Sequence, residues 1–296
     1  MTEHPVAASG IEWLGAAGGD VRLVGGKAAS LDRLARLGFR IPPGFCITTD
    51  AFRAQLAGIP GATADLAALP DEAARERLTR AFTDSMLAPE LRERVDDAVA
   101  RLLAEPALAA TGAPRLAVRS SGIGEDSSSA SYAGLHETEL GVQPAGVDAA
   151  VRRCWASLWS VPALAYRVRH GLALDGGGMA VVVQALVPAD ASAVVFTRHP
   201  VTGTDDLVMT AACGLGDRMV AGEVTPDTLV IDRATLDVVD YTPGDGGAAG
   251  ALDGDAIADL ADLAIAVERE FGVPVDIEAA TVAGTWYLLQ ARPITT

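Results

Sequence analysis

The feature that most constrains the fold is a long helical stretch set between strands. From residue 51 to residue 110 the chain is dominated by Ala, Leu, Glu and Arg at helical spacing, which predicts a layer of helices. Strand patterns lie on both sides, within residues 39–50 before it and at residues 115–121, 179–187 and 193–197 after it. The chain is therefore expected to combine helices and strands. With 296 residues, 50% of them hydrophobic, the chain can bury the core of one large domain or of two lobes.

Charge and hydropathy exclude several classes of function. The formal net charge of −16 opposes general binding to nucleic acid or to anionic lipid, so any phosphate site is local. The sequence has no apolar run long enough for a membrane helix, and its first residues do not resemble a signal peptide, so we expect a cytoplasmic protein. The three cysteines, Cys46, Cys154 and Cys213, lack metal-ligand spacing and are interpreted as buried thiols.

Lys27 is the only lysine in the chain; every other fixed side-chain cation is an arginine. Residues 21–24 are predicted as a short strand, Gly25 and Gly26 as a turn, and Lys27 onward as an amphipathic helix that ends near Gly38. A cation in the first turn of a helix opposes the helix macrodipole unless an anion is bound there. This arrangement suggests a phosphate site, although a leftover surface lysine is the plainer alternative.

A second candidate phosphate site follows the strand at residues 115–121. Arg119 lies near the end of that strand, and the segment GIGEDSSSASYAG continues to Gly134. Glycine and serine offer backbone N–H groups and hydroxyls with little bulk, which suits wrapping around phosphate oxygens. A flexible surface linker has a similar composition. Farther on, the aromatic segment 151–171 is predicted as core, and residues 240–255 as an exposed loop.

The C-terminal residues predict a β-hairpin with polar side chains on one face. Strand side chains alternate, so Asp276 and Glu278 share a face of one strand, and Gln290 and Arg292 share a face of the other. We predict an odd connection, which brings all four to the same face of the hairpin. Carboxylates and an amide oxygen suit Mg²⁺, and arginine suits phosphate. A structural salt bridge would explain Asp276 and Arg292 equally well, but not the two other polar residues.

These motifs resemble a known family, the ATP-binding domain of phosphoenolpyruvate synthase, pyruvate phosphate dikinase and rifampin phosphotransferase. The resemblance covers nearly the whole chain. It runs through LVGGKAASLDRLARLGFRIPPGF, LAVRSSGIGEDSSSASYAG, SLWSVPALAYR, MAVVVQALV, VVFTRHPVTG, GLGDRMVAGEVTPD and VDIEAATVAGTWYLLQARPIT, in this order. It implies an α+β fold of ATP-grasp-like type, in which two lobes, residues 1–178 and 179–296, enclose a nucleotide cleft.

The resemblance also implies ATP and Mg²⁺ as ligands, and a role for each motif. Lys27 and Arg119 would hold phosphates under the loop from Ser127 to Gly134, and Arg292 would stabilise the phosphoryl group in transfer. The remaining site residues are Ser131 and Gly134 of that loop, Gln184 and the backbone at Leu186 at the adenine, Asp276 in support of the metal, and Glu278 and Gln290 as Mg²⁺ ligands.

In the family, a histidine of a swivelling domain attacks the β-phosphoryl of ATP, and AMP is released. The four histidines of this chain do not match that carrier motif and are interpreted as ordinary polar residues. We therefore expect a partner protein that carries the phosphohistidine swivelling domain and an acceptor-binding domain. Two alternatives stay open: a stand-alone ATP-dependent kinase or ligase acting on a small molecule, and a non-catalytic ATP-binding subunit.

Three positions depart from the usual family pattern. Ile123 replaces a small or hydroxyl residue, His199 stands where an acidic residue is common, and the region after Asp232 is short and lacks a lysine.

Overall fold

Two antiparallel sheets organise the chain in a computed structural model that describes residues 10–16, 18–105, 108, 114–123, 138–174, 177–245 and 250–294. The described residues form two compact units. The first holds those within Met1–Asp32, Pro43–Glu125 and Ser131–Leu186; the second holds those within Arg33–Pro42 and Val187–Thr296. The α+β class is thereby confirmed.

The first unit is built on a five-stranded sheet. Its strands are β1 (Ile11–Trp13), β2 (Gly44–Ile47), β3 (Leu116–Gly122), β4 (Thr138–Val142) and β5 (Met179–Ala185), in the spatial order β1-β2-β5-β3-β4. Every neighbouring pair is antiparallel. The central strand β5 is buried along its whole length, as its nearly unbroken apolar run predicts.

The described helices of this unit lie on both sides of its sheet. They are α1 (Val21–Arg36), α2 (Thr49–Ala57), α3 (Ala62–Ala68), α4 (Glu72–Asp84), α5 (Pro89–Leu103), α6 (Val147–Ala156) and α7 (Val161–Arg169), with 3-10 turns at Pro144–Gly146 and Ser157–Trp159. All but α1 supply the helical side of a single core, together with residues of β2, β3 and β5. Its centre is aromatic: Phe82 lies 5.6 Å from Phe52 and 5.2 Å from Trp159, ring centre to ring centre. The predicted helical layer and aromatic core are confirmed.

Helix α1 differs from its sequence prediction. Residues 21–24 form a helical turn instead of a strand, because the backbone N–H groups of Leu23 and Val24 both donate to Asp20 O, at 2.8 and 2.9 Å. Gly25 then interrupts the helix with φ 74° and ψ 172°. The two glycines therefore mark a break inside one helix rather than a turn between a strand and a helix.

The second unit is built on a six-stranded sheet. Its elements are β6 (Ala191–Phe196), β7 (Leu207–Cys213), α8 (Asp217–Val220), β8 (Asp227–Ile231), β9 (Val238–Thr242), α9 (Gly254–Phe271), β10 (Val275–Val282) and β11 (Thr285–Pro293). The strand order is β11-β10-β6-β7-β8-β9. Helix α9 begins at its cap Asp253 and ends at Gly272, which has φ 74°. It buries Leu260, Ala264 and Val267 against β6, β7, β10 and β11.

Three predictions need correction here. The predicted boundary at 178/179 differs from the division found, because β5 pairs with β2 and β3 in the first unit. Part of the loop predicted at 240–255 is strand β9, which is paired with β8. Cys213 is exposed, whereas Cys46 and Cys154 are buried; all three are free thiols. Among the described residues, no helix has both the length and the apolarity needed to cross a membrane.

Candidate functional site

The first unit places Lys27 directly after the break in α1. Its side chain is buried, with 5% exposed. Its ammonium Nζ donates to the carbonyl oxygen of Ser120 on β3, at 2.8 Å. A buried ammonium is costly unless it is hydrogen-bonded, and this carbonyl supplies such a bond. The leftover surface lysine is excluded, because the side chain is held inside the unit.

The sheet of the first unit has one face for its core and one polar face. Leu116, Val118 and Val183 belong to the core, so their alternate neighbours Arg119 and Gln184 point to the opposite face. Arg119 lies opposite Val182, and Gln184 lies opposite Ala117, which places both side chains on this polar face. Gln184 is buried, with 2% exposed, and Arg119 is half-buried.

Helix α1 lies on this same polar face. The thiol of Cys46 contacts Val24 O at 3.5 Å, and Cys46 pairs with Val182 in the sheet. Lys27, Arg119 and Gln184 are thus on one side of one sheet. Leu186 follows β5, and its backbone N–H donates to Arg115 O at 2.9 Å. Its carbonyl oxygen is therefore the backbone group with which Leu186 could contact a ligand.

The second unit brings the four hairpin residues to one face. Asp276 pairs with Arg292 and Glu278 with Gln290, while Ile277 and Ala291 between them belong to the core. The turn consists of two residues, Ala283 and Gly284, with φ 47° and 73°. Without any irregularity, this even number would place the two pairs of polar residues on opposite faces. A β-bulge adds Leu289 to β11, which makes the connection between Glu278 and Gln290 odd. The predicted common face is confirmed, and the bulge produces it.

An ion pair organises this face. Arg292 Nε and Nη2 both reach Oδ2 of Asp276, at 2.8 and 2.7 Å. Burial raises the pKa of Asp276 above its ordinary value; the Arg292 guanidinium opposes that rise and the charge of Glu278 adds to it. Burial prevails, since the Asp276 residue is only 5% exposed. The salt bridge considered from the sequence is therefore present, and Glu278 and Gln290 lie beside it.

The donor set of this face suits a magnesium ion that takes its other ligands from phosphate. Mg²⁺ is commonly held by one or two carboxylates together with substrate phosphates and water. Glu278 and Asp276 offer carboxylate oxygens, and Gln290 offers an amide oxygen. Within the described part of the chain, no group of three or more His, Cys, Asp or Glu side chains could hold a metal by itself.

Some predicted positions cannot be placed. Ser131 and Gly134 lie outside the described residues, as do His4 and His136. Of the other histidines, His170 packs against Tyr166, with ring centres 4.3 Å apart and the ring planes tilted by 33°. The Nδ1 atom of His199 accepts from the backbone N–H groups of Val201 and Thr202, both at 3.2 Å. His199 thus caps a turn.

Two residues that contribute to the polar face are not among those predicted from the sequence. Ser121 lies two positions after Arg119 and bonds to α1 on both sides of its break. Gly44 lies opposite Gln184, and a Cβ there would come within 2.7 Å of Gln184 Cγ. Strand alternation from Arg119 would have indicated Ser121, and a lone glycine in a buried strand signals a close approach.

Comparison with known protein families bears directly on these residues. The model of the pyruvate phosphate dikinase AMP/ATP-binding domain matches residues 21–246. The chain belongs to this family. The match includes Lys27, Arg119 and Gln184, and the hairpin follows it.

Curated relatives extend the similarity of this pyruvate phosphate dikinase ATP-binding domain over nearly the whole chain. A probable phosphoenolpyruvate synthase of Methanocaldococcus jannaschii is 32% identical and covers 94% of the chain, which matches 26% of that protein. A phosphoenolpyruvate synthase of Aeropyrum pernix is 34% identical, covering 92% of the chain and 40% of that protein. The rifampicin phosphotransferase of Streptomyces sviceus is 36% identical, and the match covers 93% of the chain and 34% of that protein. The chain spans less than half the length of these relatives.

Among solved structures, D-alanine-D-alanine ligase from Helicobacter pylori matches with a TM-score of 0.29 and 8% sequence identity. The match covers 61% of this chain and 42% of that one, and it is too weak to bear on the fold.

Proposed function

We propose that this chain is an Mg-ATP-binding phosphotransferase module of dikinase type with an ATP-grasp-like fold. It would transfer a phosphoryl or pyrophosphoryl group from ATP to a histidine of a separate carrier domain or subunit. The observation that carries the proposal is the placement of Lys27, Arg119 and Gln184 on one polar sheet face, in a chain of the AMP/ATP-binding family.

In the first unit, Lys27 and Arg119 would neutralise the phosphates of the bound nucleotide. The buried amide of Gln184 and the carbonyl of Leu186 would recognise the adenine edge, where donors and acceptors must be matched in pairs. Ser131 and Gly134 would add hydroxyl and backbone N–H donors to the phosphates. Together these groups would fix the nucleotide and screen its negative charge, the largest obstacle to nucleophilic attack on phosphate.

In the second unit, Glu278 and Gln290 would hold Mg²⁺, with Asp276 in support. The bound ion would supply further positive charge to the phosphate oxygens. Arg292 is held by Asp276 through two nitrogens, which directs its guanidinium before the nucleotide arrives. A cation fixed in advance stabilises a developing charge without reorganisation during the reaction.

The proposed transfer is an attack by the carrier histidine on the β-phosphoryl of ATP. A nitrogen–phosphorus bond forms, the bond from the β-phosphorus to the α-phosphate oxygen breaks, and AMP leaves. The roles given to Lys27, Arg119 and Arg292 would all act through charge, as is general for phosphoryl transfer.

The test is an incubation of the protein with Mg²⁺ and ATP labelled in the β-phosphate, with and without a separately produced histidine carrier domain. Label on the carrier together with AMP is the expected result, and a carrier whose histidine is replaced by alanine is the control. ADP formed with a small acceptor and no carrier would overturn the dikinase assignment in favour of a stand-alone kinase or ligase. ATP binding with neither product would identify a non-catalytic subunit.

A further inference from the structure

The break in α1 is held open by a side chain from a neighbouring strand. In a continuous helix the N–H of Ala28 would donate to Val24 O, four residues earlier. Instead, Ser121 Oγ stands between them: it accepts from Ala28 N–H at 3.0 Å and donates to Val24 O at 2.8 Å. One hydroxyl thus replaces one rung of the helix ladder, a recognised way to kink a helix.

The strand that carries this hydroxyl is packed tightly against the break. A Cβ built on Gly25 would lie 2.0 Å from Ser121 O, so only glycine fits there. The backbone of Gly25, at φ 74°, is also in a region that residues with a side chain rarely adopt. Ser121 and Gly25 are therefore in close contact at the break in α1.

The position of the Lys27 side chain depends on this break in α1. It follows Gly25 by two positions, and its ammonium bonds to Ser120 O, on the residue adjacent to Ser121. The direction in which Lys27 leaves the helix is set by where α1 restarts, and the restart is set by the hydroxyl between Val24 and Ala28.

We propose that Ser121 is a positioning residue for Lys27: its inserted hydroxyl keeps α1 broken, so that the ammonium is presented on the polar face of the sheet. This inference rests on the proposed function, in which Lys27 binds phosphate. Ser121 acts through the helix and is given no contact with the nucleotide. Without the hydroxyl, Val24 O and Ala28 N–H would be left to reform a direct helical bond, which would shift the residues that follow Gly25.

Ser120 provides a matched control. It is on the same strand, it is fully buried, and its hydroxyl has no hydrogen-bond partner among the described residues. Replacement of either serine by alanine removes one buried hydroxyl, but only Ser121→Ala removes the contact with α1.

The first experiment uses the fact that Lys27 is the only lysine. Its rate of modification by an amine-reactive reagent, followed by peptide mass spectrometry on the folded protein without nucleotide, reports the placement of the ammonium. We expect Ser121→Ala to change the rate by about fivefold or more and Ser120→Ala by less than about twofold, since only the former disturbs a bonded group. Equal rates in the two variants would overturn the proposal.

The second experiment measures the dissociation constant of Mg-ATP in the same variants. We expect Ser121→Ala to weaken binding about tenfold, which corresponds to ~1.4 kcal/mol, and Ser120→Ala to leave it nearly unchanged. In a Lys27→Ala background, Ser121→Ala should have no further effect; an undiminished effect there would mean a merely structural role. If the unaltered protein does not bind ATP, the proposed function fails, while the modification rates still decide the role of Ser121. If Ser121→Ala does not fold, Ser121→Cys, with its weaker hydrogen bonds, is judged by the same outcomes.

Discussion

Lys27 combines an unusual residue type with an unusual position. In a chain where arginine otherwise supplies the cations, the one lysine is buried and bonded to a strand carbonyl. A compact ammonium and a planar guanidinium are not interchangeable in such a place. We therefore expect Lys27→Arg to weaken Mg-ATP binding by about tenfold or more, nearly as much as Lys27→Ala.

The control for this prediction is Arg22→Lys on the same helix, where the side chain is 86% exposed and pairs only weakly with Asp20, at 3.5 Å. Calorimetric titration should find its affinity for Mg-ATP unchanged. An unchanged affinity in Lys27→Arg would show that Lys27 supplies only a positive charge.

Asp276 makes a prediction about pH. Its folded pKa is raised above the ordinary value of 3.8, so the folded state holds the proton more tightly than the unfolded state does. The favourable contribution is therefore present at low pH and is lost as the pH rises from 3.8 through the folded pKa. We expect the wild type to lose stability relative to Asp276→Asn as the pH rises above 3.8, as measured by urea unfolding. A difference that grows in favour of the wild type with rising pH would contradict this account.

At the scale of elements, local patterns are sufficient where each element buries one face by itself. The helices from 49 to 103 and the hairpin of β10 and β11 follow from spacing and alternation. The secondary-structure predictions are wrong where contacts with residues distant in the sequence determine the local conformation. The pattern at 21–24 predicts a strand, but the turn is helical because Leu23 and Val24 donate to the carbonyl of Asp20. The helix is then interrupted by Ser121, which lies 97 residues from Val24. The composition around β9 predicts a loop, because this strand is exposed and gains order only by pairing with β8.

The candidate site shows the same division. Lys27, Arg119 and the four hairpin residues can be named from residue type and position. The bulge at Leu289 and the inserted hydroxyl of Ser121 cannot, because each is a contact between strands or between a strand and a helix. These two contacts nevertheless determine which way the named side chains point.

The break in α1 makes a prediction at this scale. Gly25→Ala combines a strained backbone with a clash against the strand, and we expect it to lower the free energy of unfolding by about 3 kcal/mol or more. Gly38→Ala is the matched control, because Gly38 also has positive φ, at 87°, but no atom lies within 4 Å of its added Cβ. It should cost about 1–2 kcal/mol, from backbone strain alone. Equal losses in urea unfolding of the two variants would contradict the tight packing at Gly25.

At the scale of the whole molecule, thiol reactivity reports on how tightly the first unit is packed. Cys46 and Cys154 are buried in the first unit, and burial with the nearby charge of Glu12 raises the pKa of Cys46, so its thiol stays protonated. Cys213 is exposed at the end of β7. We expect a thiol reagent to modify Cys213 rapidly in the native protein and the other two only after urea unfolding. Rapid native modification of Cys46 would mean that the first unit opens readily.

The central claim is that the chain binds Mg-ATP and that Lys27 and Arg292 both contribute to this binding. Isothermal titration of ATP, in the presence of Mg²⁺, into the wild type, Lys27→Ala and Arg292→Ala tests it most directly. We expect saturable binding by the wild type and an affinity for Mg-ATP that is about tenfold or more lower in each variant. Lys27 belongs to the first unit and Arg292 to the second. No binding by the wild type, or unchanged binding in both variants, would contradict it.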